Sequence, residues 1–150
     1  MSFLFDVVVD FVSDMFVSKP TQRERRMRKL TACAEPIPVS QLPALTYDDG
    51  SVGALQPGSI AWAKLPGIEP VLVLAHTAED ACVARLVEVA TPGAVKLSHA
   101  ARWELLKNRN AVDLNSLYTL PMSQLYSEGK RIRRSDFGRV VTALGQREDG

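Results

Sequence analysis

The stretch PGSIAWAKLPGIEPVLVLAH, residues 57–76, decides how this chain is read. Pro57-Gly58 marks a turn, SIAWAKL is a short strand around Trp62, Pro66-Gly67 marks a tight loop, and PVLVLAH is a second strand. Both alternating faces of the second run are apolar, which predicts a central strand covered on both sides. Glu69 is the anomaly, an acid set directly before that apolar run.

Working outward, ACVARLVEVA, AVKLSHAARWELL and AVDLNSLYTLP read as further strands separated by turn residues. SDFGRVVTAL places Ser135 or Asp136 at an N-cap and Phe137, Val140, Val141 and Leu144 at helical spacing, so a C-terminal amphipathic helix is expected. Five short strands with a capping helix predict a mainly β fold, a small closed or half-open barrel, because closure removes exposed sheet edges. Before the hairpin, residues 35–56 form a Pro-rich linker or arm, with Pro36, Pro38, Pro43 and Asp48-Asp49-Gly50 opposing regular structure. Residues 1–34 read as an N-terminal helical hairpin. Its first helix carries Asp6, Asp10 and Asp14 as one stripe, and its second begins at the capping box Thr21-Gln22-Arg23-Glu24. The barrel with its helix then occupies residues 57–150.

At 150 residues and 46% hydrophobic content, the chain supports one sizeable core with an appendage. A formal net charge of +1 gives no overall field that would demand nucleic acid or a membrane. The basic excess is local, in RERRMRK at 23–29 and KRIRRSDFGR at 130–139. Two cysteines, Cys33 and Cys82, without a CxxC pair predict thiols in a reducing compartment, and hence a cytoplasmic protein. Each Asp of the N-terminal apolar run would cost about 2.5–3.5 kcal/mol at mid-bilayer, so no stable membrane insertion is expected.

The hairpin PGSIAWAKLPGIEPVLVL, the later AVDLNSLYTLPM and the terminal amphipathic helix together resemble the PemK/MazF family of toxin ribonucleases. The matching positions are Gly58, Ile60 and Trp62, the Pro-led strand Pro70 to Leu74, and Thr119-Leu120. The resemblance implies an SH3-like barrel and a cytoplasmic growth inhibitor of the toxin-antitoxin type. It further implies RNA as ligand, an antitoxin-like protein partner and a homodimer, with no cofactor. In that family an Arg directly before the strand's Pro takes part in cleaving single-stranded RNA, and here that position is Glu69. A guanidinium stabilises charge building on a phosphate whereas a carboxylate repels it, so endoribonuclease activity is expected to be altered or lost. A later family segment, laid on Asn115, Ser116, Tyr118, Thr119, Leu120 and Pro121, matches only at Thr119 and Leu120.

Thr91, in VEVATPG, corresponds to a family Thr, against the plainer reading of a turn-starting Thr before Pro92-Gly93. Arg85 and His76 are candidates to replace the missing Arg, against the plainer readings of a solvated strand Arg and a strand-end His. The concave side is thus expected to lack the guanidinium that scission needs. WAKLPG also resembles the opening strand of PWWP reader modules, but the aromatic cage such modules use is absent after Trp62 until Trp103.

Lys130, Arg131, Arg133, Arg134 and Arg139 are the candidate nucleic-acid contacts, with Tyr118 and Tyr126 as stacking residues. A noncatalytic interaction module is the alternative, with Phe5, Val8, Phe11, Val12 and Phe16 docking on a partner or a second copy. His76, Glu79, Asp80 and Cys82 lack the paired ligand spacing of zinc sites, so no metal is expected.

Overall fold

The computed structural model describes residues 22–47, 55–98 and 109–149. In chain order these form α1 (Gln22–Arg28), β1 (Glu35–Pro36), β2 (Ser59–Lys64), β3 (Ile68–His76), β4 (Asp80–Val87), β5 (Val95–Lys96), β6 (Ala111–Pro121), β7 (Tyr126–Arg131) and α2 (Arg134–Asp149). Short 3-10 turns lie at Val39–Gln41 and Met122–Gln124. The strands make one antiparallel sheet in the order β1-β6-β4-β3-β2-β7, with β5 also on β6. This is a mainly β fold with a C-terminal helix. Phe5, Val8, Phe11, Val12 and Phe16, like the acidic stripe, lie outside the described residues.

The hairpin forms as its residues dictate. β2 and β3 pair from Ile60 opposite Leu72 to Lys64 opposite Ile68, and β3 is buried without a break from Glu69 to Ala75. That strand separates two apolar clusters. Leu72 and Leu74 join Ile60, Ala84, Leu86 and Val112 on the face that α2 covers with Phe137, Val140 and Leu144. Val71 and Val73 join Ala61, Ala63, Ala81, Val83 and Leu120 on the other. Alternation along each strand assigns these residues, since successive side chains point to opposite sides.

β6 serves both clusters by changing phase. Opposite β4 its register jumps from Leu117, paired with Ala84, to Asp113, paired with Arg85. The bulge is closed by the Asp113 carboxylate, which accepts the Asn115 N–H at 2.9 Å and the Ser116 hydroxyl at 2.8 Å. Val112 and Leu114 therefore face the helix side together with Leu117, whereas Tyr118 and Leu120 face away.

Two expectations change. There are seven described strands instead of five, the additions being β1 and the edge strand β7, and the AVKLSHAARWELL run contributes only Val95–Lys96 as described strand. Residues 35–47, although Pro-rich, pack as a strap: Ile37, Val39, Leu42, Leu45 and Tyr47 lie against the α2-side cluster. Tyr47 is the knot of that strap. Its hydroxyl donates to the Ile132 carbonyl at 2.9 Å, and its ring lies 5.5 Å from that of Phe137. Gly58 sits beneath it at φ +94°, where an added Cβ would come within 2.8 Å of Tyr47. Backbone of that hand, and that closeness, both favour glycine. Leu30, just beyond α1, is buried, and Thr31 donates its N–H and hydroxyl to Gln124 Oε1 at 2.7 and 3.0 Å.

Candidate functional site

Glu69 enters the sheet at the start of β3, opposite Ala63 of β2 and two residues before Val71. Val71 in turn faces Arg85 of β4, and Arg85 faces Asp113 of β6. Because paired residues share a face, Glu69, Arg85 and Asp113 project to one side at the end of the sheet where β2 and β4 finish. There the Arg85 Nη2 donates to Glu69 Oε1 at 2.5 Å, and the Arg109 Nη1 donates to the same oxygen at 3.2 Å. Glu69 is 9% exposed, whereas the Arg85 and Arg109 side chains are each 37% exposed. One buried carboxylate is thus held by two half-open guanidiniums.

This overturns the expectation that the face lacks a guanidinium. Two are present beside the acid, one delivered by β4 and one by the segment leading into β6. Arg85 was a candidate from its place in the third strand. Arg109 carried no signal, since it lies forty positions from Glu69 in the polar run KNRN.

The remaining candidates are scattered. Thr91 lies in the turn after β4, at the same end of the sheet, its N–H donating to Glu88 O and its carbonyl accepting the Ala94 N–H. His76 is at the opposite end of β3, seven residues or about 23 Å from Glu69, exposed and with Nδ1 3.2 Å from the Thr77 carbonyl. The HTAEDAC run spans the β3–β4 turn, where Thr77 Oγ1 accepts the Asp80 N–H at 3.1 Å. Cys82, the last of that run, is partly covered, and burial pushes its thiol up despite a hydrogen bond with Thr119. Cys33 is exposed. Among the described residues no three His, Cys, Asp or Glu side chains converge as a metal site.

The basic segment divides between structure and surface. Arg131 donates Nε and Nη2 to the Pro57 carbonyl at 3.2 and 3.0 Å, and its guanidinium lies 4.0 Å from the Tyr47 ring centre. Arg134 lies 5.6 Å from the same centre. Arg139 is ion-paired with Asp136. Asp136 is in the first turn of α2 instead of at its cap, and it accepts the Ser98 N–H at 3.2 Å and the Ser98 hydroxyl at 2.8 Å. Arg133 is exposed, and Lys130 and Arg131 are half-buried. Because Ser59 pairs with Arg131 and Ala63 with Glu69, this patch and the Glu69 cluster lie about 13 Å apart at opposite ends of β2.

No protein-family model matches the chain, and no curated protein matches it either. Solved structures do share its fold. An endoribonuclease in complex with its cognate antitoxin, from a mycobacterial species, superposes with a TM-score of 0.50 at 19% identity, covering 63% of this chain and 92% of that one. A second mycobacterial endoribonuclease gives 0.49 at 19% identity, over 63% and 91% of the two chains. The MazE-MazF structure from Deinococcus radiodurans gives 0.49 at 16%, over 63% and 94%. The described β domain with its C-terminal helix thus has the PemK/MazF-like endoribonuclease fold.

Proposed function

We propose that this protein is a MazF-like, single-stranded-RNA-binding protein in which endoribonuclease activity is suppressed in the native chain. The observation that carries the reading is the convergence of Arg85 and Arg109 on Glu69 at the head of β3. Guanidiniums there suit an RNA phosphate, and a carboxylate between them opposes the charge that builds during scission. Arg85 and Arg109 are the guanidiniums of the site, and Thr91 offers a hydroxyl from the turn at the same end. Half-buried Lys130 and exposed Arg133 and Arg134, at the other end of β2, are a second, separate RNA-contacting patch in this reading. An antitoxin-like protein partner belongs to the same reading, since the mycobacterial endoribonuclease of the same fold is held in complex with its cognate antitoxin; a homodimer is proposed with it.

The test is direct. Purified protein is expected to bind single-stranded RNA with an affinity that falls as salt rises, while leaving the RNA intact. Replacing Lys130, Arg133 and Arg134 by Ala should weaken binding and reduce the salt slope by up to about 2, at about 0.7 per phosphate contact on single strands. RNA scission by the native chain would remove the suppressed-activity half of the reading. Salt-independent or absent binding by folded protein would remove the RNA half.

A further inference from the structure

Glu69 commits one carboxylate oxygen, Oε1, to both Arg85 Nη2 and Arg109 Nη1. Its neighbours on that face, Ala63 and Val71, are fully covered, so the attraction between these charges is less diluted by water than at an open surface. The side-on edge of a guanidinium presents Nε–H and Nη2–H in parallel, a spacing that fits two oxygens of one oxyanion. Among the described residues only Nη2 of Arg85 is used, and its Nε is buried without a hydrogen bond. A buried donor without an acceptor is uncommon in a folded protein. Asp113, opposite Arg85, does not supply it: its oxygens take the Asn115 N–H and the Ser116 hydroxyl.

Resting on the RNA-binding reading above, we propose that Glu69 is a built-in stand-in for a phosphate. Arg85 and Arg109 form an oxyanion clamp, and the carboxylate keeps it filled until a phosphate group displaces it. Displacement exchanges one set of charge-assisted hydrogen bonds for another, with the Arg85 Nε gaining an acceptor. No covalent step is involved. Glu69 is then the residue that sets how strongly the clamp competes for phosphate, and the native chain is the weak-binding form.

Inorganic phosphate is titrated calorimetrically into the full-length native protein, Glu69→Gln, Glu69→Ala and the double variant Glu69→Ala/Arg85→Ala. Thermal midpoints are recorded in parallel, with chloride at equal ionic strength as reference. Glu69→Ala should bind phosphate at least tenfold more tightly than the native chain, and Glu69→Gln at least threefold. Their midpoints should rise with phosphate beyond any rise in chloride, and the double variant should lose the gain. Equal affinity in native and Glu69→Ala protein overturns the clamp, as does a gain that survives loss of Arg85. If the single variants are unfolded in chloride, recovery of folding in phosphate supports it and failure to recover overturns it. Single-stranded RNA as a second ligand keeps the two readings apart. A phosphate gain with no RNA binding in any variant leaves the clamp standing and removes the RNA reading, whereas RNA binding without a phosphate gain removes the clamp alone.

Discussion

At 2% exposure, Asp136 would be an expensive residue if it stood alone, because burial opposes a carboxylate's charge. Burial by itself would raise its carboxyl. Hydrogen bonds from the Arg139 guanidinium and from the Ser98 hydroxyl and N–H, with the Arg139 charge, hold it below the ordinary value instead. Its place in the first turn of α2 adds the favourable end of the helix dipole. The pH consequence has a definite sign. A carboxyl depressed on folding binds fewer protons in the folded state, so its contribution is complete above the unfolded value of about 3.9. That contribution is lost as pH falls below this value through the folded one. Asp136→Asn should therefore cost about 1–3 kcal/mol at pH 7, and the difference from the native chain should shrink in acid. Urea unfolding at pH 7 and at successively lower pH measures it, and parallel curves throughout would contradict the assignment.

Among the elements, β6 is the one whose irregularity matters. The turn at Asp113 to Ser116 lets residues before it face the helix side and residues after it face both clusters in the order the core needs. Removing Asn115 would shift the following residues by one, turning Tyr118 and Leu120 toward the wrong side. That deletion should abolish cooperative thermal unfolding and near-ultraviolet circular dichroism, whereas Asn115→Ala, with the backbone N–H retained, should change stability by less than about 1 kcal/mol. In AVDLNSLYTLP the pair Asn115-Ser116 breaks the alternation and puts Leu117 out of phase with Leu114, but nothing local reveals that β4 opposes the run in two registers. The β2–β3 hairpin was legible for the converse reason. Its turn residues, its alternation and its doubly apolar second strand all agree at short range. β7 escaped notice since YSEGKR has no apolar alternation, as befits a charged strand at a sheet edge. The strap at residues 35–47 escaped because its apolar residues follow no helical or strand period.

For the molecule as a whole, fold was more legible than site. Glu69 stands out against the Arg of the family that the hairpin resembles, yet its meaning depends on Arg109, which only long-range pairing brings to it. The two charged regions also act at separate ends of β2. Neutralising Lys130, Arg133 and Arg134 and replacing Glu69 by Gln should therefore change unfolding free energy additively to within about 0.5 kcal/mol, the behaviour of sites more than about 7–10 Å apart. A double-mutant cycle in urea would check this, and a larger coupling would show that the ends communicate. No helix among the described residues is long and apolar enough to cross a membrane.

Ser98 and Arg109 flank residues 99–108, two residues after β5 and two before β6. These two gateposts are held by carboxylates of other elements, Asp136 and Glu69, across a Leu97–Asn110 backbone bond of 2.8 Å. The frame has thus already met the entropy of bringing the ends together. The separation of Ser98 and Arg109 is therefore set by bonds made outside residues 99–108, and Arg109 owes its reach to Glu69 to that frame.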